Sequence, residues 1–419
     1  MSRYLKFLVF LLFWVLESVA PAAETVTLDE LLQEVFQNNP DIRAAGYQVE
    51  AARARISQAK ALDDPMVGVM FEEVPVDTLD VKQGEMINYR LEQKIPFPGK
   101  RHVKGKVARF DAQAEQEVSR GRIADVLLDL KMTYYEIYRL DRQLETTKET
   151  AELFRQLLAS TKTAYATGQT TADTPLKAQV ELSILQNEEI KLKQERLTHL
   201  VHLKALLNRS GHDEIVLSKN IEFPHLEATL DEVTVGAVES RPELTRLAAI
   251  EERDRSKLTA ARQGLLPDLS LGLEYNQRTT RQDAWTGTAM VNIPLYFWKN
   301  RGEIKEANAS LAATRAENES AKIHTQHEIE QAYSAFRAAE EIVQNYEGGI
   351  LPAASATLKT ARTSYRTGKV QFLTLVDAAR TLRDLKMTFY ENQAGLGIAY
   401  TQLERLVGSP LNQKGESDE

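Results

Sequence analysis

The two halves of this 419-residue chain carry the same segments in the same order, about 200 residues apart. The matched segments are Leu28-Asp29-Glu30 with Leu230-Asp231-Glu232, Asn39-Pro40-Asp41-Ile42 with Arg241-Pro242-Glu243-Leu244, Pro65 with Pro267, Ile95-Pro96-Phe97 with Ile293-Pro294-Leu295, and Tyr165-Ala166-Thr167-Gly168 with Tyr365-Arg366-Thr367-Gly368. Because identity and spacing recur together, we interpret the chain as a tandem duplication of one large unit. A repeat of this size is half of a pseudo-symmetric protein and is too long for a solenoid module.

Residues 1–22 are predicted to be a secretory signal peptide. Arg3 and Lys6 are basic, residues 7–16 form an uninterrupted apolar run, and Ala20-Pro21-Ala22 supplies small residues before a cleavage site at Ala23. The alternative is a retained membrane helix, but the apolar run is only about half of the roughly 20 residues that a span needs. The mature protein is therefore expected to leave the cytoplasm.

Composition narrows the function classes. The chain has no cysteine, so disulfides, thiolate metal sites and lipidation at a cysteine are excluded. Its net charge of -8 argues against nucleic acid as a partner. After the signal peptide no apolar run reaches transmembrane length, and the mean hydropathy is -0.37. If this protein enters a membrane, it does so through strands of alternating hydrophobicity.

Each repeat contains a predicted pair of very long helices. Residues 100–165 lack proline and are rich in helix-forming residues, so they predict one helix of about 65 residues, on the order of 100 Å long. Gly168 is expected to end it, and a returning helix completes a hairpin over about 100–208. The second repeat predicts a hairpin over about 302–406 that turns at Gly368. Such helices persist only if apolar stripes pack along their length, and the stripes are Leu127, Leu130, Tyr134, Ile137 and Leu144, and Ile329, Tyr333, Phe336 and Ile342.

Each repeat also predicts two strands, at about 65–74 and 85–95 and at about 267–277 and 284–295. Apolar and polar residues alternate in every run, over the length of an outer-membrane strand. A half-buried sheet of a soluble protein would show the same alternation. Because four strands cannot close a barrel and open edges are not tolerated in lipid, membrane insertion would require several protomers. Two protomers would supply eight strands and three would supply twelve, and a conduit favours three.

Together these features resemble the TolC family of outer-membrane efflux ducts. The most specific segments are Tyr165-x-x-Gly168 with Ala178-Gln179 downstream, and Tyr365-x-x-Gly368 with Asp377-Ala378 at a matching distance. The resemblance implies a mainly α protein with duplicated long-helix hairpins and a membrane β-barrel of twelve strands shared by a homotrimer. The first repeat would cover 23–220, the second 221–408, and a polar tail 409–419. A periplasmic adaptor, an inner-membrane pump of the resistance-nodulation-division type and outer-membrane lipid would be its partners.

The same resemblance assigns roles to residues near the hairpin turns. Adaptor docking is expected at the periplasmic tips, at Gly168, Gly368, Thr167 and Thr367. The tunnel entrance is expected at Tyr365, Asp377, Asp173, Thr374 and Lys369. This chain departs from the family where Val370 replaces an arginine and Thr374 replaces an aspartate. For Asp377 the alternative is a carboxylate in the first turn of the returning helix, favoured there by the helix dipole.

Residues 92–101, Glu-Gln-Lys-Ile-Pro-Phe-Pro-Gly-Lys-Arg, resemble the strand-to-helix junction of the branch that serves heavy-metal pumps (CusC/CzcC-like). Heavy-metal cations are therefore a candidate cargo. Four methionines share the polar face of the predicted strands, where thioethers could touch soft ions or simply fill space; they are Met66, Met70, Met86 and Met290. The pairs His199-x-x-His202 and His324-x-x-His327 could hold a metal, although surface positions explain such pairs equally simply.

No phosphate-binding loop, nucleophile elbow or zinc-hydrolase motif appears in the sequence. We therefore expect a non-enzymatic, passive exit duct that spans from the outer membrane into the periplasm, with no cofactor and no resident metal. The alternative from another class is a soluble periplasmic coiled-coil adaptor or scaffold, which would use the same helices and a water-exposed sheet.

Overall fold

The computed structural model describes residues 25–77, 79–81, 84–210, 215–218, 221, 223–279 and 281–411. The predicted signal peptide and most of the predicted tail lie outside these residues. The chain divides into two compact units, and each takes segments from both repeats. We call the described residues within 1–40, 127–225 and 334–402 the hairpin unit, and those within 41–126, 226–333 and 403–419 the sheet unit.

The elements, in chain order, are β1 (Thr25–Val26), α1 (Leu28–Asn38), α2 (Pro40–Lys60), β2 (Met66–Glu72), β3 (Met86–Ile95), α3 (Lys100–Ala166), α4 (Asp173–Leu206), β4 (Val216–Leu217), α5 (Leu230–Ser240), α6 (Pro242–Gln263), β5 (Asp268–Arg278), β6 (Ala284–Asn292), α7 (Phe297–Asn345), a π-helical turn (Tyr346–Ile350), α8 (Leu351–Arg366) and α9 (Phe372–Val407). None of the described helices combines the length and apolar character needed to traverse a lipid bilayer.

The duplication is visible in the caps of the short helices. Thr27 begins α1 with a capping box, because its hydroxyl accepts from the Glu30 N–H at 3.4 Å while Glu30 accepts from the Thr27 N–H at 2.8 Å. Thr229 and Glu232 repeat both bonds at the start of α5, at the same two distances. Identical start signals thus set the same helix boundary in both repeats.

The core of the hairpin unit follows the apolar stripes of the long helices. Leu130, Ile137 and Phe336 are fully buried. One stripe position differs from the prediction, because Ile342 is 41% exposed and Val343 is buried at 6%. Val343 follows Phe336 by two full helical turns, which returns its side chain to the same face, whereas Ile342 falls short of that face.

The second-repeat hairpin differs from the first by a local change in helical winding. Helix α3 runs for 67 residues without interruption. In the second repeat a π-helical turn at Tyr346–Ile350 separates α7 from α8. Gly348 and Gly349 lie in this turn, and a Cβ on either would meet no other atom within 4 Å. A wider turn at exposed glycines therefore lets the helix continue into Pro352.

The sheet unit contains one four-stranded antiparallel sheet in the order β2-β3-β5-β6. The two hairpins of the repeats join through β3 and β5, where Tyr89 is opposite Tyr275. At the strand-to-helix junction the Lys100 ammonium binds the Asp268 carboxylate at 2.8 Å and the Leu266 carbonyl at 2.7 Å. Strands β2 and β6 are the outer members of this sheet, so each pairs on one side in the protomer.

Candidate functional sites at the hairpin tips and on the sheet

The two helix hairpins end in turns of the same geometry. Gly168 and Gly368 have φ of 74° and 71°, the left-handed region that side chains other than glycine reach at a cost. The Gly168 N–H donates to the Tyr165 carbonyl at 3.0 Å and the Gln169 N–H to the Ala164 carbonyl at 2.8 Å, which is the Schellman pattern. Gly368 makes the equivalent pair of bonds at 3.0 and 2.8 Å. Both predicted tip glycines therefore terminate their helices.

The hydroxyls of the tip threonines bond locally. Thr167 Oγ1 donates to the carbonyls of Thr163 and Ala164, one turn back in α3. Thr367 repeats this arrangement in α8. Both threonines are exposed. Their hydroxyls satisfy the last carbonyls of each helix and leave the methyl groups as part of the tip surface.

The tip tyrosines of the two repeats differ in their surroundings. Tyr365 is half-buried, and its ring lies 5.7 Å from that of Phe372. Burial raises the pKa of the Tyr365 hydroxyl. Tyr165 is exposed, and Ala172 occupies the position that corresponds to Phe372. Tyr365 therefore stabilises the second tip by packing on its own hairpin.

Asp173 begins α4 and lies in its first turn. The Lys177 ammonium donates to its carboxylate at 2.8 Å, and the Thr171 hydroxyl donates to the other oxygen. These hydrogen bonds, that of Lys177 first, lower the pKa of Asp173. The negative charge at this tip position is thus partly balanced by a cation one turn away.

Asp377 lies beyond the first turn of α9, which contains no acidic residue. The alternative that Asp377 lies in the first turn, where the helix dipole favours a carboxylate, is therefore wrong, since the dipole acts within the first turn. The side chain is exposed, as are those of Thr374 and Lys369. The Lys369 N–H closes the turn on the Ser364 carbonyl, and the Thr374 N–H donates to the Gln371 carbonyl. The structure thus brings the second-repeat tip residues onto one turn and the helix start that follows it.

A partly buried ion pair near the tips joins the two repeats, and neither of its members was among the predicted site residues. Glu181 of α4 is 7% exposed at its side chain, and Arg380 of α9 is 46% exposed. Arg380 Nε donates to Glu181 Oε2 at 2.7 Å, and its Nη2 donates to the second oxygen. This hydrogen bond raises the pKa of Arg380. The sequence does contain a signal for this pair, because Glu181 and Arg380 follow Gly168 and Gly368 at nearly equal distances along the chain.

The pair lies beside an apolar cluster that both hairpins share. Its fully buried members include Ala178, Leu185 and Leu375. On the outside of the same segment Leu176, Val180 and Leu373 are exposed, although a helix in water would ordinarily carry polar residues there. Sequence periodicity did not separate these exposed apolar residues from the core.

The sheet exposes its apolar face. The exposed large apolar residues on this face are Val67, Val69, Phe71, Tyr89, Leu91, Leu271, Leu273, Trp285 and Val291. Among the residues of strands β2, β3, β5 and β6 only Asn88 and Asn276 are buried, and both belong to the polar face. Tyr89, Tyr275 and Trp285 form a row of rings across three strands, with centroids 6.2 and 5.1 Å apart. A sheet of a soluble protein would bury its apolar face. Because this sheet exposes that face instead, we call it the inverted sheet.

The histidine pairs do not converge on a metal site. The His202 ring nitrogen Nε2 lies 2.9 and 3.0 Å from the carboxylate oxygens of Asp129. His324 and His327 are exposed on α7. Over the part of the chain that the structure describes, no group of three or more histidine, aspartate and glutamate side chains could hold a metal ion.

Comparison with known proteins identifies the family. A family model for outer membrane efflux proteins matches residues 31–209 and 235–409. The cobalt-zinc-cadmium resistance protein CzcC of Cupriavidus metallidurans is 20% identical over 397 residues, which cover 92% of this chain and 91% of that protein. Outer membrane protein TolC of Vibrio cholerae is 20% identical over 422 residues, covering 95% and 94% of the two chains.

The match to a crystal structure of CusC covers 91% of this chain and 92% of that chain, with a TM-score of 0.78 and 18% sequence identity. The two chains therefore share a fold. The predicted resemblance, the mainly helical fold class with paired long-helix hairpins and the outer-membrane location are confirmed. The chain therefore belongs to the outer membrane efflux protein family, whose model matches both of its halves.

Proposed function

We propose that this chain is the passive exit duct of a tripartite efflux system, receiving cargo from a periplasmic adaptor and an inner-membrane pump of the resistance-nodulation-division type. The observation that carries the proposal is the inverted sheet, whose apolar face is exposed and whose polar face holds the buried Asn88 and Asn276. Such a face is stable against lipid hydrocarbon, and the polar face then lines a wet path. The aromatic row at Tyr89, Tyr275 and Trp285 fits a membrane interface.

The edges of the sheet support a closed trimer. Strands β2 and β6 each lack a neighbour on one side in the protomer, and unpaired edges in lipid cost several kcal/mol per exposed group. Pairing β6 of one copy with β2 of the next removes both edges when the ring closes. Three copies of this four-stranded sheet give twelve strands, which leave a bore wider than that of an eight-stranded barrel.

The hairpin tips are proposed as the adaptor docking surface, and Tyr365, Asp377, Asp173, Thr374 and Lys369 as the tunnel entrance. The matched Schellman turns at Gly168 and Gly368 support this role, because they present two similar exposed ends in each protomer. The exposed apolar residues Leu176 and Leu373 supply contact area there. The two stretches matched by the family model support the assignment of 23–220 and 221–408 to the two repeats.

Heavy-metal cations are the proposed cargo. The similar proteins include one described as a cobalt-zinc-cadmium resistance protein and one described as a cation efflux system protein. The junction at residues 92–101, where Lys100 binds Asp268, is the segment whose sequence first pointed to this branch. No catalytic step is proposed for this chain.

Three measurements test the proposal. The protein is expected to remain with outer membranes after a carbonate wash and, when purified, to conduct ions across planar bilayers. Release by the wash would instead favour the periplasmic adaptor alternative, which the family match does not support. Growth of a deletion strain across a panel of metals and drugs should show sensitivity confined to metals, and sensitivity to drugs alone would refute the cargo assignment.

A further inference from the structure

A group of four side chains on the polar face of the β2–β3 hairpin has donor chemistry that the duct function does not require. Met70 is directly opposite Asn88, and Glu72 is directly opposite Met86. Residues two apart in a strand share a face, and directly opposed side chains start about 5 Å apart, so the four are neighbours. We call Met70, Glu72, Met86 and Asn88 the methionine cluster.

Asn88 shows that this cluster has unused binding capacity. The residue is 2% exposed, and its Nδ2 donates to Glu72 Oε1 at 2.7 Å. Its carbonyl oxygen Oδ1 is buried and accepts no hydrogen bond among the described residues. A buried acceptor without a partner costs free energy. A bound cation would satisfy this oxygen.

Met70 in this cluster is too exposed to serve as core filler. Met70 is 48% exposed on the polar face, so its thioether is accessible in the protomer. Met66 and Met290 are also exposed on the same face, further along the strands. Methionine that fills a core gap would be buried, so packing does not explain these positions.

We propose that the methionine cluster is a contact site for a soft monovalent metal ion, Cu⁺ or Ag⁺, in transit along the polar face of the sheet. Thioether sulfur selects soft ions, and the Glu72 carboxylate and the Asn88 carbonyl oxygen add charge and a further donor. Arg278 lies opposite Met86 and adds a positive charge to this face, and Arg90, two residues beyond Asn88, is paired with Glu92 at 2.9 Å. Two thioethers make a weak site, as a conducting path needs, because the ion must leave as well as enter.

This inference rests on the proposed function, because the polar face lines the path only if the sheet closes into a barrel. The test uses the purified full-length protein and silver nitrate in chloride-free buffer, with binding followed by calorimetry. The double variant Met70→Leu/Met86→Leu keeps side-chain volume and removes both sulfurs. Met132→Leu, on α3 and outside the sheet, is the matched control.

Wild type and Met132→Leu should bind Ag⁺ with equal affinity, and the double variant should bind it at least tenfold more weakly. Zinc nitrate should bind no differently to the three proteins. Equal Ag⁺ binding by wild type and the double variant, or equal loss in the Met132 variant, would overturn the proposal. Failure of the duct function would appear separately, as the absence of potassium nitrate current through wild-type protein in planar bilayers.

Discussion

Arg380 of the second repeat and Glu181 of the first hold each other in a two-point ion pair beside the apolar cluster of the hairpin tips. The carboxylate is almost completely buried, whereas the guanidinium reaches solvent. A buried carboxylate is expensive without its partner, so this pair fixes the position of α9 against α4. It also supplies a link between the two repeats near the tips.

Removing Arg380 should loosen the tips. Arg380→Ala leaves the Glu181 carboxylate among apolar side chains without its partner. We expect the free energy of unfolding to fall by about 1–3 kcal/mol. This loss is smaller than that for a fully buried pair, because Arg380 is half exposed. Lys386→Ala is the matched control, because Lys386 also crosses between repeats, to Glu149 at 3.1 Å, in an exposed pair. Amide hydrogen exchange in α4 should accelerate in the first variant only. Equal protection in both variants would contradict a structural role for the pair.

The left-handed turn makes Gly368 sensitive to substitution. Gly368→Ala forces a side chain into a backbone region that costs on the order of 1 kcal/mol, although nothing lies within 4 Å of the new Cβ. Gly395→Ala in α9 is the control, because it also has free space but an ordinary helical backbone. The first variant should give a folded trimer with weakened adaptor docking and reduced efflux, and the second should match wild type. Normal resistance at normal expression of Gly368→Ala would exclude this turn from docking.

The two faces of the sheet should tolerate charge differently. Leu271→Arg or Val291→Arg places a cation on the exposed apolar face, at a cost of roughly 2–4 kcal/mol at mid-bilayer for each protomer. Ser270→Arg or Thr288→Arg, on the polar face of the same strands, serves as the control. The first pair should fail to assemble in outer membranes, while the second should assemble with altered conductance. Similar assembly of all four proteins would place the sheet outside lipid.

The fold class was predictable because the signals are local and repeated. Each long helix follows an apolar stripe, and each tip turn depends on a Tyr-x-x-Gly segment whose glycine adopts a positive φ at little cost. The alternation of apolar and polar residues in four strands predicted one apolar and one polar face for each strand. The alternation is the same whichever of the two faces contacts water. The structure resolves this ambiguity through the exposure of Leu91, Leu271 and Val291.

The details of the candidate sites were harder to predict from the sequence. In the sequence Glu181 cannot be distinguished from the other charged residues of a polar helix. Only the packing of α9 against it shows that it is buried. The start of α7 at Phe297 also differs from the expected start near Gly302, because aromatic residues 296–298 pack on each other and extend the helix. Such contacts depend on tertiary geometry, which spacing along the chain does not encode.

Tyr134 should make the hairpin unit sensitive to alkaline pH. Its ring is 3% exposed, and burial, followed by the charge of Asp29, raises its pKa to about 12 from 10.0. The raised pKa favours the protonated form in the folded state, so this contribution is fully present below pH 10. It is lost as the pH rises from 10 towards 12, by an amount on the order of 1.4 kcal/mol per pH unit.

Tyr134→Phe removes this dependence. Guanidinium unfolding followed by helical circular dichroism at pH 9 and pH 11.5 should show a smaller loss of stability in the variant than in wild type. Tyr47→Phe, at an exposed ring, should follow wild type. Parallel pH dependence in wild type and Tyr134→Phe would show that this hydroxyl does not titrate with folding.

Asp377 should set the ion preference of the duct. In a trimer three copies of this exposed carboxylate would line the tunnel mouth, where like charges attract counter-cations. Asp377→Asn should lower the cation-to-anion permeability ratio by about twofold, read from the reversal potential across a salt gradient, and weaken block by multivalent cations. Asp173→Asn is the comparison, and its effect should be smaller because Lys177 already balances that charge at 2.8 Å. If the Asp377 variant keeps the wild-type reversal potential and block, the carboxylate lies outside the conduction path.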